Sequence, residues 1–559
     1  MTKISREKKI ITVCVVLTLL GIAVFGQALW FDFIKFDDPA YVVENKQIQS
    51  PLTPDGLRWL FLNTDAGFWH PLTWLSFMMD YRLFGLNPGG YHLTNVLLHI
   101  LSSLLLFWLF HRMTREIWPS ALIAALFALH PLHVETVAWI SKRKDLLSAF
   151  FWMLSLCAYA YYTEKPDAKR YLLVILFFTL ALMSKPMAVT LPVVMIILDF
   201  WPLKRLSSRK DLAWQLREKL PFFLPAAFFS LITVYIRYHW GNPFVNTIPF
   251  SYRLANAPVA LVTYLKKAFL PYDLAIFYPF PPEVPVHQVV IASVVLVVIS
   301  VAAAVWAKKR PFLLAGWLWY LLTILPVLGI IQVSERAFSD NYTYLPLIGI
   351  TMMLVWGAAS LLPDQVLRRK ILFPAALIII FVLSWLSWRQ CALWKNSFTV
   401  FGHAARVTKN NLLAHTNLAS ALSLQGKNEE AIYHYSEVIR INPYLPEGFY
   451  NRATTYGEMG RSDLAMEDFK KAIALKPDYV DAHYNLGTLY AKTGRYNDAI
   501  KKYNEAIRIN PDYVLAYYSR GLAYLLEGKN DLGCRDALRA CALGRCELLD
   551  TYRGKGVCR

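Results

Sequence analysis

Eleven apolar runs divide the first 390 residues, at roughly 10–30, 93–110, 117–131, 146–162, 171–184, 187–200, 220–237, 287–307, 311–331, 344–361 and 371–389. A helix crossing a bilayer needs about 20 largely apolar residues. The longer runs meet that length and the shorter ones approach it. The pattern predicts an all-α polytopic membrane domain of about 11 transmembrane helices over residues 1–390. Lys3, Arg6, Lys8 and Lys9 precede the first run, as in a signal sequence, and the run is long enough to stay as an uncleaved span. Ala257 to Tyr278 is apolar but holds Lys266, Lys267, Pro271 and Asp273. It is expected to lie as an amphipathic segment on the outer membrane surface.

The pattern changes after residue 390. Four segments of 34 residues run from Leu412 to Glu547, with Gly426, Gly460, Gly494 and Gly528 in register. Ala431, Ala465, Ala499 and Gly533 recur at the same period, as do Pro443, Pro477 and Pro511. This is the tetratricopeptide period: Gly ends the first helix of each pair, Ala lets helices approach, and Pro follows the second helix. Residues 412–547 are expected to form an α-solenoid with a concave protein-binding surface. Residues 391–411 form a half-repeat connector, in which Trp394 to Lys409 is the second helix of an incomplete repeat and the last span is its first. Residues 548–559 form a tail containing a cysteine.

Composition sharpens this picture. The chain is 56% hydrophobic and 17% charged, too apolar for a soluble protein of 559 residues. Its net charge of +19 invites a nucleic-acid reading. The bases, however, gather in Arg112/Arg115, Lys165/Lys169/Arg170, Lys204 to Lys219, Lys308 to Arg310 and Arg368 to Lys370. Those loops alternate with the spans as the positive-inside rule requires, so membrane lipid, and not nucleic acid, explains the charge. Parity then gives a cytoplasmic N-terminus and repeats on the outer, periplasmic side of an inner membrane. Cys534, Cys541, Cys546 and Cys558 would form two disulfides there, with three pairings open.

The run Ser141-Lys142-Arg143-Lys144-Asp145 breaks the charge rule, since it falls outside. A phosphate-bearing ligand or anionic lipid headgroups would account for it. The first outer loop offers Asp37-Asp38-Pro39, where one carboxylate could act as general base and its neighbour could orient an acceptor or hold a divalent cation. The same pair could equally be a structural turn. His92, Asn95 and His99 share one helical face inside a span, which fits function or helix–helix hydrogen bonding. His133 and Glu135 match no zinc spacing and are expected, with His92 and Asp145, to line a polar cavity at the outer boundary. No certain cofactor is implied. Lys185, after Ser184, and Arg336, after Glu335, also fall at the outer face.

Taken in order, Phe36-Asp37-Asp38, Tyr91 to His99, His130 to Glu135 with Arg143 and Asp145, Ser184-Lys185-Pro186, Glu335-Arg336 and Tyr342 to Pro346 resemble the transmembrane and tetratricopeptide-repeat-containing O-mannosyltransferases. More broadly, the chain resembles the glycosyltransferase C superfamily. The resemblance implies a polyprenyl-phosphate sugar as donor and a protein hydroxyl as acceptor outside the cytoplasmic membrane. It places Asp37 and Asp38 at the catalytic centre and Arg143, Lys185 and Arg336 on the donor phosphate. It also implies that the repeats bind the acceptor or a partner. The chain departs from eukaryotic relatives in having His70 where they tend to have Arg before Pro71, and its repeat array is short. The sugar is therefore left open between mannose and others. Two alternatives remain: a non-catalytic scaffold for envelope proteins, and a glycosyltransferase acting on lipid or polysaccharide.

Overall fold

A computed structural model describes the chain except for residues 1–2, 52, 64–68, 207, 241–247, 331–335, 363 and 559, with side chains also left aside at 3–5, 209, 237, 239 and 240. The chain forms two compact units, Met1–Thr408 and Lys409–Arg559.

Among the described residues of the first unit six helices are long and apolar enough to cross a membrane: Arg6–Trp30, Pro88–Thr114, Ile140–Glu164, Lys210–Ile236, Val286–Trp306 and Gln365–Ala392. Ile117–Leu129 and Pro131–Ala138, bent by 52°, make a seventh if they act as one span. Only 11% of the apolar window of Val286–Trp306 and 6% of that of Gln365–Ala392 are buried. Apolar helices exposed on nearly every side require an apolar solvent, so this unit is a membrane domain.

Eleven spans are not reached among the described residues. The runs at 187–200, 311–331 and 344–361 fold as the shorter apolar helices Pro186–Phe200, Pro311–Val327 and Leu347–Leu361. Hydropathy registers burial in protein and in lipid alike, and these helices bury much of their length in the unit itself. Helices Pro311–Ile324 and Leu347–Leu361 pack so closely that a Cβ on Gly316 or Gly349 would strike the other's carbonyl oxygen. The amphipathic stretch forms helix Phe250–Phe269, which buries Leu261 and Tyr264 against Trp317, Tyr320 and Ile324. Beyond it the chain extends, and Tyr278–Pro279 pairs antiparallel with Arg336–Phe338. That small ribbon fixes the segment leading to Asp340.

The connector carries helix Ser397–Val407, which belongs to the first unit. Asp32 N donates to Lys395 O at 2.9 Å and Lys35 N to Ser397 Oγ at 2.8 Å, and Phe36 meets Phe401 edge-on at 6.2 Å. The loop holding Asp37 is therefore bound to residues 395–401.

The second unit is the tetratricopeptide solenoid, with helix pairs Leu412–Leu424/Asn428–Ile441, Pro446–Glu458/Ser462–Leu475, Val480–Lys492/Tyr496–Ile509 and Val514–Leu526/Asn530–Ala542. Gly426, Gly460, Gly494 and Gly528 have φ of +74° to +78°, a left-handed conformation that ends each first helix. Ala431, Ala465 and Ala499 are fully buried where the paired helices touch. A further helix, Glu547–Gly554, covers the last pair through Leu548 and Leu549.

The disulfides are Cys534–Cys558 and Cys541–Cys546. The first closes 24 residues and clips the tail onto the last repeat. Cross-linking a loop of that length contributes about 3 kcal/mol by restricting the unfolded chain. Cys534→Ser is expected to remove roughly that much from the terminal repeat alone. Hydrogen exchange should then show lost protection over residues 514–558 and unchanged protection over 412–475.

Candidate functional site

The first helix ends in a 3-10 turn at Gly26–Trp30, and after an irregular stretch the chain turns at residues 35–37. Asp38 is fully buried. Its Oδ2 accepts from Ile34 N at 2.8 Å, and its Oδ1 accepts from Ser141 N at 3.0 Å and from Ser141 Oγ. Burial pushes its carboxyl up to about 7 against the pull of those hydrogen bonds, and the charge of Asp37 adds to the rise. Asp38 thus ties the first outer loop to the second. Asp37, on the same turn, is only half-buried, and its charge acts on Lys144.

A 3-10 turn, Ile140–Lys142, leads into the helix that begins at Arg143. Successive helical residues point about 100° apart, so the three bases of the run diverge. Lys142 Nζ lies 3.2 Å from Glu135 Oε1. Lys144 Nζ donates to Tyr41 Oη at 2.8 Å and sits over that ring. Arg143 turns into the core, fully buried. Its Nε donates to Asn95 Oδ1 at 2.5 Å, Nη1 to Ser76 Oγ at 2.6 Å, and Nη2 to Asp80 Oδ2 at 2.7 Å and Tyr91 O at 2.9 Å. The expectation that Arg143 holds the donor phosphate is therefore corrected, because its guanidinium is spent on the protein itself.

Lys185, in the break between helices Ala168–Ser184 and Leu191–Phe200, donates to Asp145 Oδ1 at 2.5 Å. Arg336, held by the ribbon, lies 3.9 Å from Glu135 Oε1 and donates to Ser339 Oγ at 3.3 Å. Glu135 also accepts from Asn341 N at 3.2 Å, so it is a hub between the second loop and the 339–341 turn. Lys142, Lys144, Lys185, Arg336 and Asp145 lie within one another's electrostatic reach. The site is a cationic cluster with Asp37 at its edge and Asp145 and Glu135 inside it. Among the described residues no three His, Cys, Asp or Glu side chains converge as a metal ion would require.

Two cavity residues are also corrected. His92 is buried edge-on against Phe31 at 6.0 Å. His133 is fully buried among Phe127, Tyr344 and His99, with Nδ1 2.7 Å from Phe127 O. Both are packed against aromatic side chains in the protein interior. His99 likewise bonds Tyr344 Oη and Ala128 O, at 2.7 and 2.9 Å. Glu335 lies outside the described residues. His70, in contrast, belongs near the cluster: it stacks on Trp74 at 4.8 Å, and burial, reinforced by Lys144 and Lys185, holds its imidazole far below the usual histidine range.

Comparison with known proteins gives this arrangement a context. Residues 72–239 match the profile of the family described as dolichyl-phosphate-mannose-protein mannosyltransferase. Residues 419–460, 458–494 and 489–528 match the tetratricopeptide repeat. The chain is 24% identical over 496 residues to the human protein O-mannosyl-transferase TMTC1, covering 77% of this chain and 55% of the relative. It is 26% identical over 493 residues to mouse TMTC4, covering 75% and 65%. The chain is similar to these protein O-mannosyl-transferases over most of its length. It spans between half and two thirds of their length. Human TMTC4 is 36% identical over a shorter stretch of 162 residues, 25% of this chain and 22% of the relative. Similar solved structures include MamA, 24% identical over 28% of this chain and 89% of that one, with a TM-score of 0.25. Another is YrrB, a tetratricopeptide protein, 16% identical over 28% and 81%, with a TM-score of 0.26. The mannosyltransferase match takes in Asp80, Glu135, the Lys142 to Asp145 run and Lys185, while Asp37 and Arg336 fall outside it.

Proposed function

We propose that this chain is a membrane glycosyltransferase that moves a hexose from a polyprenyl phosphate to Ser or Thr hydroxyls of protein acceptors. The observation that carries it is the cationic cluster of Lys142, Lys144, Lys185 and Arg336 beside a half-buried carboxylate, Asp37. Asp37 takes the proton of the acceptor hydroxyl. That oxygen attacks the anomeric carbon as the bond from carbon to phosphate oxygen breaks. Polyprenyl phosphate leaves with the electron pair, its charge met by Lys185 and its neighbours. One displacement inverts the anomeric centre. Asp38 positions the loop and does not touch substrate.

Two features support a site outside the cytoplasm. The Asp37 loop is bound to residues 395–401, just before the solenoid. The solenoid's disulfides fit an oxidising compartment, which for a bacterial inner membrane is the periplasm. The repeats then present the acceptor polypeptide or a partner.

The test is transfer in nanodiscs from polyprenyl-phosphate mannose to a mixture of secreted polypeptides, with mass spectrometry of the products. Lys185→Met is expected to raise the donor KM by about ten- to a hundredfold, the loss of one charge-assisted contact. Product on lipid alone would move the acceptor class, and no transfer of any sugar would leave the scaffold alternative standing.

A further inference from the structure

A pocket lies where four segments meet: the first turn of helix Arg143–Glu164, the Lys185–Thr190 break, the end of helix Pro311–Ile324 and the turn before Leu347. Its lining mixes polar residues, among them Asp145, Lys185, Thr190 and Tyr342, with apolar ones such as Met187 and Leu345. Asp145 uses one carboxylate oxygen on Lys185, at 2.5 Å. Its side chain is 10% exposed, and its Oδ2 is buried without a hydrogen-bond partner. A desolvated carboxylate oxygen without a donor is unfavourable, so this atom is poised to accept from a ligand.

We infer that this pocket holds the sugar ring of the lipid-linked donor, with Asp145 Oδ2 accepting from a ring hydroxyl. The inference rests on the proposed donor class and deepens it. Lys185 takes the phosphate, so the group one bond beyond the phosphate lies beside Asp145. Apolar lining residues such as Met187 and Leu345 suit the C–H face of a pyranose. A fixed carboxylate repels a second anion, so the pocket selects a neutral, hydroxylated hexose and rejects a uronic acid. Asp145 is thus a specificity-determining residue that takes no part in proton transfer.

The experiment measures binding by the full chain in nanodiscs, through its tryptophan fluorescence. The probes are undecaprenyl phosphate, its mannosyl ester and its glucuronosyl ester. The wild type should prefer the mannosyl lipid to the bare lipid by about tenfold or more, as one good hydrogen bond to a charged group allows. It should bind the glucuronosyl lipid no better than the bare one. Asp145→Asn should shrink the ratio of mannosyl-lipid to bare-lipid affinity severalfold and raise the ratio of glucuronosyl-lipid to bare-lipid affinity. Equal wild-type affinity for bare and mannosyl lipid overturns the sugar pocket while leaving the donor class intact, and does so without any variant. A variant that folds and keeps the full preference overturns the role of Asp145. If none of the three lipids binds, the donor class fails, and the pocket assignment with it.

Discussion

Asp37→Asn is expected to lower kcat for sugar transfer by about 10²- to 10⁴-fold, the usual contribution of a positioned general base, with an unchanged donor KM and melting temperature. The asymmetry within the Asp37-Asp38 pair is the reason. Asp38 receives hydrogen bonds from Ile34 and Ser141 and is fully buried, so no lone pair faces an acceptor. Asp37 is half-buried, and its charge reaches Lys144. An amide at 37 keeps the shape and removes only the basicity. Asp38→Asn should behave differently. Its amide must turn N–H groups toward the Ile34 or Ser141 donors, which costs roughly 1–3 kcal/mol and loosens the joint between the two loops. Its activity loss should track a lowered melting temperature and be partly restored by cooling. Wild-type turnover in Asp37→Asn, or a stable but inactive Asp38→Asn, would transfer the base to Asp38.

The repeats were fully legible in the sequence because each landmark there has a backbone cause. Gly at a left-handed φ and Ala at a helix crossing tolerate few other residues, so the period survives as letters. The membrane domain was legible as a class but not as a count. An apolar run looks the same whether lipid or protein surrounds it, and Leu347 to Met352 are buried by protein. The site was half legible. That Lys142, Arg143 and Lys144 sit at an odd place could be read from charge. Which of them faces the ligand could not, because that depends on where the helix starts. Asp80 was missed altogether: a lone acid inside an apolar stretch, Trp74 to Phe84, was the available signal. Its partner Arg143 is 63 residues away, too far along the chain for any spacing rule.

That pair gives the largest expected effect on stability. Arg143→Leu should destabilise the membrane domain by about 3–5 kcal/mol, because Asp80 would be left as an unpaired buried charge. Asp80 is 4% exposed, and also takes the Thr94 hydroxyl at 2.9 Å, too weak a partner to compensate. Arg143 also bonds Asn95, whose amide holds Val137 O and Trp139 O at 3.2 and 3.1 Å. The second outer loop should therefore loosen along with the pair. The double variant Arg143→Leu/Asp80→Leu should recover much of the loss, since replacing both partners leaves no charge behind. Arg143→Lys keeps the charge but not the fork that reaches Asn95, Ser76 and Asp80 together, and should fall between them. Unfolding in detergent by circular dichroism gives the stabilities, and donor binding separates the rival role. If Arg143 held phosphate, Arg143→Leu would melt like the wild type and lose donor affinity, and the double variant would restore nothing.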